Sequence, residues 1–217
     1  MNNQEFNRLR ELMVNEQLIP RGISNQMVLS AFRSVQRELF VPDDQKSYAY
    51  HDRPLPIGFN QTISQPYIVA LMSESLSVNK GDRILEIGTG SGYQSAILAY
   101  LGARVYSVER FDELAGAAKI CLASLDFHVD IKVGDGSLGW LENAPFDKII
   151  VTAAAKCIPE PLLEQLKVGG RIIIPLGGSF SQDLSVIDKI TRDKTERKNI
   201  CGCIFVPLVG KYGYKEN

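Results

Sequence analysis

The sequence predicts an α/β fold with N-terminal helices, five parallel strands and a terminal antiparallel hairpin that brings the sheet to seven strands. Three observations support this class. From about residue 83 to 177, short apolar runs alternate with helical patterns, as in parallel sheets covered by helices on both faces. After residue 177, two strand-like runs flank a charged turn, which favours a hairpin. The first apolar run ends in a glycine-rich turn, typical of a nucleotide-sized cleft.

Ahead of the sheet, apolar residues at helical spacing predict helices at about 6–17 and 27–35. Ser24 is a suitable N-cap for the second of these. The segment 40–65 is rich in Pro, Gly and polar residues, and we expect an ordered loop there rather than a series of strands. A loop this long inside a compact domain is usually functional or disordered, and its aromatic and apolar content argues against disorder. A third helix follows at about 66–76, with a proline near its first turn.

The alternating part of the chain forms the predicted core. Its strands are expected at 83–88, 104–109, 129–134, 146–152 and 170–176, and its helices near 92–101, 111–125 and 158–167. The hairpin is predicted from strand-like runs at 184–187 and 200–209, separated by a charged turn at 192–197. We expect a single domain over 1–217. Within it, 1–80 holds the N-terminal helices and the long loop, 81–177 the core, and 178–217 the hairpin.

The composition limits the possible functions. The 217 residues include 24 basic and 25 acidic ones, without the excess of positive charge that marks nucleic-acid binding. No apolar run approaches the roughly 20 residues needed to span a bilayer, and the start of the chain has no signal-peptide pattern. The four cysteines lack the spacing of zinc sites. We therefore expect a cytoplasmic monomer without nucleic-acid partner, membrane association or structural metal.

The glycine turn follows the first core strand. Gly88, Gly90 and Gly92 form a G-x-G-x-G pattern, with Glu86 two residues ahead. A dinucleotide fingerprint needs a third glycine at position 93, where this chain has Tyr93. The pattern instead resembles the first motif of S-adenosylmethionine (SAM) methyltransferases. A glycine turn alone is weak evidence, since many α/β proteins need one to leave a strand.

Two carboxylates follow the next two strands. Glu109 ends the second strand, about 20 residues after the glycine turn, where a carboxylate can accept both hydroxyls of an adenosine ribose. Asp135 follows the third strand and could accept from the adenine amino group. Asp135 could equally be a turn residue that stabilises its own loop, because Asp-Gly favours turns. Both alternatives stay open on the local sequence.

The end of the fourth strand restricts the acceptor. After Thr152 the chain continues as three alanines, without the motif of enzymes that methylate base amino groups. Metal ligands for an O-methyltransferase are also missing from this segment. A carboxylate acceptor fits, because it is ionised at pH 7 and can attack a sulfonium methyl group without a general base. Alignment of the two reactants would then provide most of the acceleration.

The run Pro56-Ile57-Gly58-Phe59-Asn60-Gln61-Thr62-Ile63-Ser64-Gln65-Pro66 closely resembles the signature of protein-L-isoaspartate O-methyltransferases. The resemblance to this family, in its bacterial form, extends over almost the whole chain. Further matching segments lie at 53–56, 85–93, 134–136, 144–147, 166–171 and 205–210. It implies a Rossmann-like, seven-stranded SAM-dependent methyltransferase fold.

The same resemblance implies a function. The enzyme would transfer a methyl group from SAM to the α-carboxyl of L-isoaspartyl residues in damaged proteins and peptides, leaving S-adenosylhomocysteine, and the ester would collapse to a succinimide. Ser64 would be the active-site residue that holds the carboxylate, although it could also cap the next helix. The cofactor site would comprise Thr62, Ile63, Ser64, Glu86, Gly88, Gly90, Ser91, Gly92, Glu109, Arg110, Asp135 and Gly136, without metal. Val206, Pro207 and Leu208 would bind the peptide through their backbone.

Three other functions compete with this one. A SAM-dependent methyltransferase of a small-molecule carboxylate or hydroxyl would keep the core but has no need of the run around Ser64. A non-catalytic SAM-binding module is opposed by the presence of Ser64, Glu109 and Asp135. A dinucleotide oxidoreductase is opposed by Tyr93.

Overall fold

We describe a computed structural model that covers residues 1–178 and 180–215. Ser179, Glu216 and Asn217, which belong to the predicted hairpin region, lie outside the described residues. The helices are α1 (Asn3–Leu12), α2 (Gln26–Ser34), α3 (Pro66–Leu76), α4 (Tyr93–Tyr100), α5 (Asp112–Ser124) and α6 (Glu160–Gln165). The strands are β1 (Leu55–Gly58), β2 (Gln61–Ile63), β3 (Arg83–Ile87), β4 (Arg104–Glu109), β5 (Val129–Val133), β6 (Phe146–Val151), β7 (Leu166–Gly177), β8 (Gln182–Lys189) and β9 (Thr195–Cys203).

The main sheet has seven strands in the order β5-β4-β3-β6-β7-β8-β9. Strands β3 to β7 are parallel, whereas β7–β8 and β8–β9 pair antiparallel. The α/β class, the parallel core and the terminal antiparallel strands are confirmed. Strand order reverses between β3 and β6, and such a switch point leaves a crevice at the carboxyl ends of the strands. The glycine turn follows β3 and therefore borders that crevice.

The core explains why the strands lack polar alternation. Ile84, Leu85, Ile149 and Ile172 are completely buried because helices cover both faces of the sheet. The N-terminal helices share one apolar cluster with α4 and α5, to which Phe32 and other buried residues contribute. In the part of the chain that the structure describes, no helix is both long and apolar enough to cross a membrane.

The predicted N-cap of α2 was wrong by one residue. The Asn25 side chain accepts hydrogen bonds from the backbone N–H groups of Met27 and Val28, at 3.0 and 3.2 Å. The backbone N–H of Ser24 donates instead to the Glu74 carboxylate, at 2.8 Å. Asn and Ser are both good caps, so sequence alone could not separate the two.

The segment 40–65 contains two short strands, so the prediction of a loop without strands was wrong. β1 and β2 form a hairpin joined by Phe59 and Asn60, which both have positive φ angles, 52° and 55°. Two positive φ angles in a two-residue loop are typical of the type I′ turn, whose usual signal is Asn-Gly or Asp-Gly. Phe-Asn does not carry that signal, which explains the error.

The last strand also differs from the prediction. β9 begins at Thr195 and ends at Cys203, so residues 195–197 belong to the strand and 204–209 do not. β9 is an edge strand, and residues 195–199 are exposed on it. Charged side chains are well tolerated on edge strands, where they also discourage aggregation. The charged run 192–197, which was predicted as a turn, therefore includes the first three residues of β9.

Candidate active site

A cavity of about 860 Å³, partly open to solvent, lies at the carboxyl ends of the parallel strands. The lining residues come from three parts of the chain: the hairpin and α3, the strand ends of the core, and the segment after β9. Of the predicted residues, the cavity brings together Thr62, Ile63, Ser64, Gly88, Gly90, Ser91, Glu109, Arg110, Gly136, Val206, Pro207 and Leu208.

The glycine turn packs closely against the end of β6. Gly88 has a φ of +94°, and a Cβ atom there would lie 2.4 Å from Thr152 Oγ1. Thr152 Oγ1 donates to the carbonyl oxygen of Gly88 at 2.7 Å, or to that of Ile87 at 3.0 Å. Thr152 also lines the cavity, and no role was predicted for it. Its hydroxyl holds the β3 end of the turn against the end of β6.

Gly92 behaves differently from the other two glycines of the turn. It is the N-cap of α4, with φ +86°, and is not among the residues that line the cavity. A Cβ atom at Gly92 would lie 3.2–3.3 Å from the side chains of Ala118 and Leu122 on α5. The structure therefore gives Gly92 a packing role between two helices, and its contact with a cofactor stays a prediction.

Glu109 lines the cavity with a carboxylate held by the backbone. One oxygen accepts from the N–H of Gly90 at 2.8 Å. The other accepts from the N–H groups of Arg110 and Phe111, at 2.8 and 3.1 Å. Only 5% of the residue is exposed. A carboxylate has about four lone-pair positions, so it can still accept from a ligand hydroxyl.

Asp135 does not line the cavity, although its neighbour Gly136 does. Asp135 Oδ1 accepts from the Ser137 backbone N–H at 2.8 Å and from the Ser137 hydroxyl at 2.6 Å. Its Oδ2 accepts from the N–H of Lys211 at 2.7 Å. These contacts fit the interpretation of Asp135 as a residue that stabilises its own loop. A role in adenine binding stays a prediction, and Gly136 is the residue of this loop that faces the cavity.

Glu86 is completely buried behind the glycine turn and is not a lining residue. One of its oxygens accepts from the hydroxyl groups of Ser95 and Ser107, while the other has no hydrogen-bond partner in the described chain. Burial raises the pKa of Glu86 to about 7, against the lowering effect of the two serine hydrogen bonds. Glu86 therefore does not reach the cavity directly in this geometry, and its predicted place in the cofactor site stays a prediction.

Ser64 follows β2 and is half-buried at the cavity wall. The predicted alternative, that Ser64 caps α3, was wrong: the N-cap is Gln65, without a side-chain capping bond. The Ser64 carbonyl oxygen accepts from Arg37 Nη2 at 2.7 Å. No group in the described ranges hydrogen-bonds with the Ser64 hydroxyl, which is available to a substrate.

The segment after β9 forms the opposite wall. The Val206 carbonyl accepts from Ala154 N–H at 2.8 Å, and the Leu208 N–H donates to the Ala154 carbonyl at 2.7 Å. The Leu208 side chain is buried in the core, as expected of a packing residue. The Pro207 carbonyl, in the described chain, accepts no hydrogen bond. It is one of the backbone groups of this segment that remain free for an extended peptide.

Several lining residues had no predicted role. They include Val69 and Met72 on α3, Tyr93 and Gln94 on α4, and Thr152 and Ala153 after β6. Tyr93 had been considered only as the residue that excludes a dinucleotide. Over residues 1–178 and 180–215, no group of three or more His, Cys, Asp or Glu side chains is arranged to hold a metal ion.

The geometry agrees with comparisons to known proteins. The family model described as protein-L-isoaspartate(D-aspartate) O-methyltransferase matches residues 8–213. The chain is 51% identical over 216 residues to protein-L-isoaspartate O-methyltransferase 2 of Pelobacter propionicus, covering 99% of this chain and 95% of the relative. It is 51% identical over 210 residues to the protein-L-isoaspartate O-methyltransferase of Geobacter metallireducens, covering 96% and 97% of the two chains.

Solved structures show the same similarity. A protein-L-isoaspartate O-methyltransferase superposes with a TM-score of 0.84 at 30% identity, covering 95% of this chain and 66% of the solved one. A protein from Plasmodium falciparum described as a putative protein-L-isoaspartate O-methyltransferase, solved with S-adenosyl-L-homocysteine, gives a TM-score of 0.80 at 25% identity, covering 96% and 99%. Together with the matched residues, these similarities show that the chain belongs to the protein-L-isoaspartate (D-aspartate) O-methyltransferase family.

Proposed function

We propose that the cavity binds SAM along one side and the isoaspartyl carboxylate along the other. We name the first the cofactor side (residues 87–91, 108–110 and 136) and the second the acceptor side (residues 64 and 206–209). Thr62 and Ile63, which also line the cavity, stay predicted contacts of the cofactor. The observation that carries this proposal is that Ser64, Glu109 and the glycine turn line one continuous cavity. A methyl donor and a carboxylate could therefore meet without a large rearrangement of the chain.

The chain is a SAM-dependent protein-L-isoaspartate O-methyltransferase, as its family and its relatives near 50% identity show. The residues of the cofactor side fit that cofactor. The wall of the cavity at Gly88 and Gly136 has no space for a side chain, because a Cβ atom at either position would lie within 2.5 Å of a neighbouring side chain. Glu109 presents an acceptor at the strand end where an adenosine ribose is expected.

The reaction needs little chemistry from the protein. SAM supplies a methyl group that its sulfonium makes electrophilic. With SAM bound, a carboxylate oxygen of the substrate would take this methyl group, S-adenosylhomocysteine would leave, and no proton would have to be removed. Ser64 can donate a hydrogen bond that orients the carboxylate for in-line attack, and such positioning contributes to the rate.

The acceptor side fits a peptide chain. The free carbonyl of Pro207 can accept a backbone N–H of an extended substrate, an interaction that does not depend on the neighbouring side chains. Leu208 keeps this segment in place because its side chain is buried in the core. This arrangement supports substrates that share an isoaspartyl residue but differ in sequence.

A labelling experiment tests the proposal. The protein is incubated with SAM that carries a labelled methyl group and with paired peptides that differ only in Asp or isoAsp at one position. We expect base-labile label on the isoAsp peptide alone. Equal labelling of both peptides would contradict the isoaspartyl specificity, and labelling of small carboxylates but of neither peptide would favour the small-molecule alternative.

Three expectations that concern the whole molecule are kept as proposals. We propose that the chain is a single-domain monomer that acts in the cytoplasm. The apolar cluster shared by the N-terminal helices with α4 and α5 supports a single domain. Light scattering that gives the mass of a dimer, or calorimetry that resolves two unfolding transitions, would contradict the first two points. Fractionation of the source cells would test the third.

A further inference from the structure

Arg37 is a completely buried arginine behind the active-site serine. It lies in a short 3₁₀ helix, Arg37–Phe40, that precedes the hairpin. Its Nε donates to the Ala49 carbonyl at 2.7 Å, and its Nη2 donates to the Ser64 carbonyl at 2.7 Å. One guanidinium therefore joins the chain before β1 to the residue that follows β2.

The same guanidinium also packs against an aromatic ring at the start of α4. Its carbon lies 4.9 Å from the centre of the Tyr93 ring, and Tyr93 is both buried and a lining residue. The rings of Phe32 and Phe40 contact Tyr93 edge to face, with centroids 6.0 and 5.5 Å away. Since Tyr93 directly follows the glycine turn, Arg37 connects the acceptor side to a packed aromatic support on α4.

This placement is costly for a purely structural residue. In the part of the chain that the structure describes, no carboxylate lies within ion-pairing distance of Arg37, and its Nη1 has no partner. Burial lowers the pKa of Arg37 to about 10, so the side chain still carries a charge at neutral pH. By contrast, the buried Arg10 pairs with Glu38 at 3.1 Å. An unpaired buried charge destabilises a fold, and such costs are concentrated at functional sites.

We propose that Arg37 is a positioning residue for methyl transfer: it fixes the peptide group of Ser64 so that the hydroxyl faces the isoaspartyl carboxylate. It acts through the Ser64 carbonyl and does not touch the substrate. The inference rests on the proposed function of Ser64. A planar guanidinium with several donors can hold two carbonyls in a fixed relation, whereas a lysine ammonium cannot reproduce this fork.

The test compares Arg37→Lys and Arg37→Gln with Arg10→Lys as the matched control. Arg10 is also buried near the N-terminus, but it donates to Tyr50 and Glu38 and not to Ser64. At saturating SAM, we expect kcat for the isoAsp peptide to fall on the order of ten- to a hundred-fold in both Arg37 variants, with SAM affinity by calorimetry nearly unchanged. Arg10→Lys should lower the thermal midpoint but leave kcat nearly unchanged.

A double-mutant cycle shows whether Arg37 acts through Ser64. If it does, Arg37→Lys should cost much less in a Ser64→Ala background than in the wild type. Additive effects, unchanged kcat, or failure of both Arg37 variants to fold while Arg10→Lys folds would overturn the inference. The wild type is measured first in the same assay. Absence of isoAsp-specific labelling there would contradict the proposed function rather than the role of Arg37.

Discussion

Most residues of the cofactor side lie at the ends of β3 and β4, two strands that are hydrogen-bonded to neighbouring strands on both edges. The residues of the acceptor side, by contrast, lie outside the main sheet. Ser64 follows a two-stranded hairpin outside the main sheet, and the segment 206–209 is joined to the core through an isolated bridge to Ala154. The position of the strands in the sheet fixes the cofactor side. A few specific contacts fix the acceptor side.

The polar groups differ in the same way. The Glu109 carboxylate is held by three backbone N–H groups before any ligand arrives. The Ser64 hydroxyl, within the described ranges, has no hydrogen-bond partner. This division suits a reaction in which the donor is always the same molecule and the acceptor belongs to many different peptides. Three substitutions test this division of the cavity.

The largest effect is expected at the cofactor side, from Gly88→Ala. The new Cβ would lie 2.4 Å from Thr152 Oγ1, at a φ of +94° that disfavours any side chain. Overpacking typically costs about 1–3 kcal/mol, to which the backbone strain is added. We expect SAM binding, measured by calorimetry, to weaken on the order of a hundred-fold or more.

Gly22→Ala is the matched control for Gly88→Ala. It has the same φ, +94°, but no atom lies within 4 Å of its Cβ position. It should lose roughly 1–2 kcal/mol of stability from strain and bind SAM normally. Adding Thr152→Ala to Gly88→Ala should restore part of the binding, since the remaining Thr152 Cβ would be at an ordinary 3.8 Å. Equal SAM affinity in the two glycine variants would refute the close approach.

An intermediate effect is expected at the acceptor side, from Ser64→Ala. This variant loses the hydroxyl that orients the carboxylate, and kcat should fall on the order of ten- to a hundred-fold while SAM affinity stays near that of the wild type. Ser91→Ala, on the cofactor side of the same cavity, should do the reverse: weaker SAM binding and nearly normal kcat at saturating SAM. If Ser64→Ala mainly lowered SAM affinity, the division of the cavity would not hold.

The third change concerns Glu86, behind the cofactor side, and is expected to affect stability. Its pKa, raised by burial from 4.5 to about 7, means that the folded protein binds more protons than the unfolded chain between those values. The stability contributed by the protonated carboxyl is complete below pH 4.5 and is lost as pH rises through about 7. Glu86→Gln should therefore gain stability relative to the wild type, on the order of 3 kcal/mol, between pH 4.5 and 8.

Urea unfolding at pH 5 and pH 8 measures this difference without cofactor. Gln can still accept from the Ser95 and Ser107 hydroxyls that now bond with Glu86. A difference between the two proteins that does not change with pH would show that Glu86 is not protonated in the folded state.

The sheet could be predicted because its strands carry a strong local signal. Each parallel strand is a short apolar run, and the predicted bounds of β4, 104–109, agree with the structure. β1 and β2 could not be predicted, since their pairing depends on positive φ angles at Phe59 and Asn60 that tertiary packing maintains. Part of that packing is the contact between the Phe59 and Phe111 rings, 5.3 Å apart, which no local pattern reveals.

The residues of the site that could be predicted are those whose position follows from the course of the main chain. Strand ends bring Gly88 and Glu109 to one edge whatever their side-chain neighbours are. Arg37 and Thr152 could not be predicted, because their importance comes from contacts with carbonyl groups far away in sequence. Asp135 shows the opposite problem: its local pattern fitted two roles, and its contacts with Ser137 and Lys211 account for the structural one, while adenine binding stays a prediction.

The pairing of Ala154 with residues 206–208 also has a consequence for the order of events during synthesis. The ribosome makes the glycine turn and all five parallel strands before the segment that forms the opposite wall. A nascent chain that ends at about residue 200 contains all five parallel strands but lacks the residues that form this wall. The two walls of the cavity can therefore meet only after the segment 206–208 has been added.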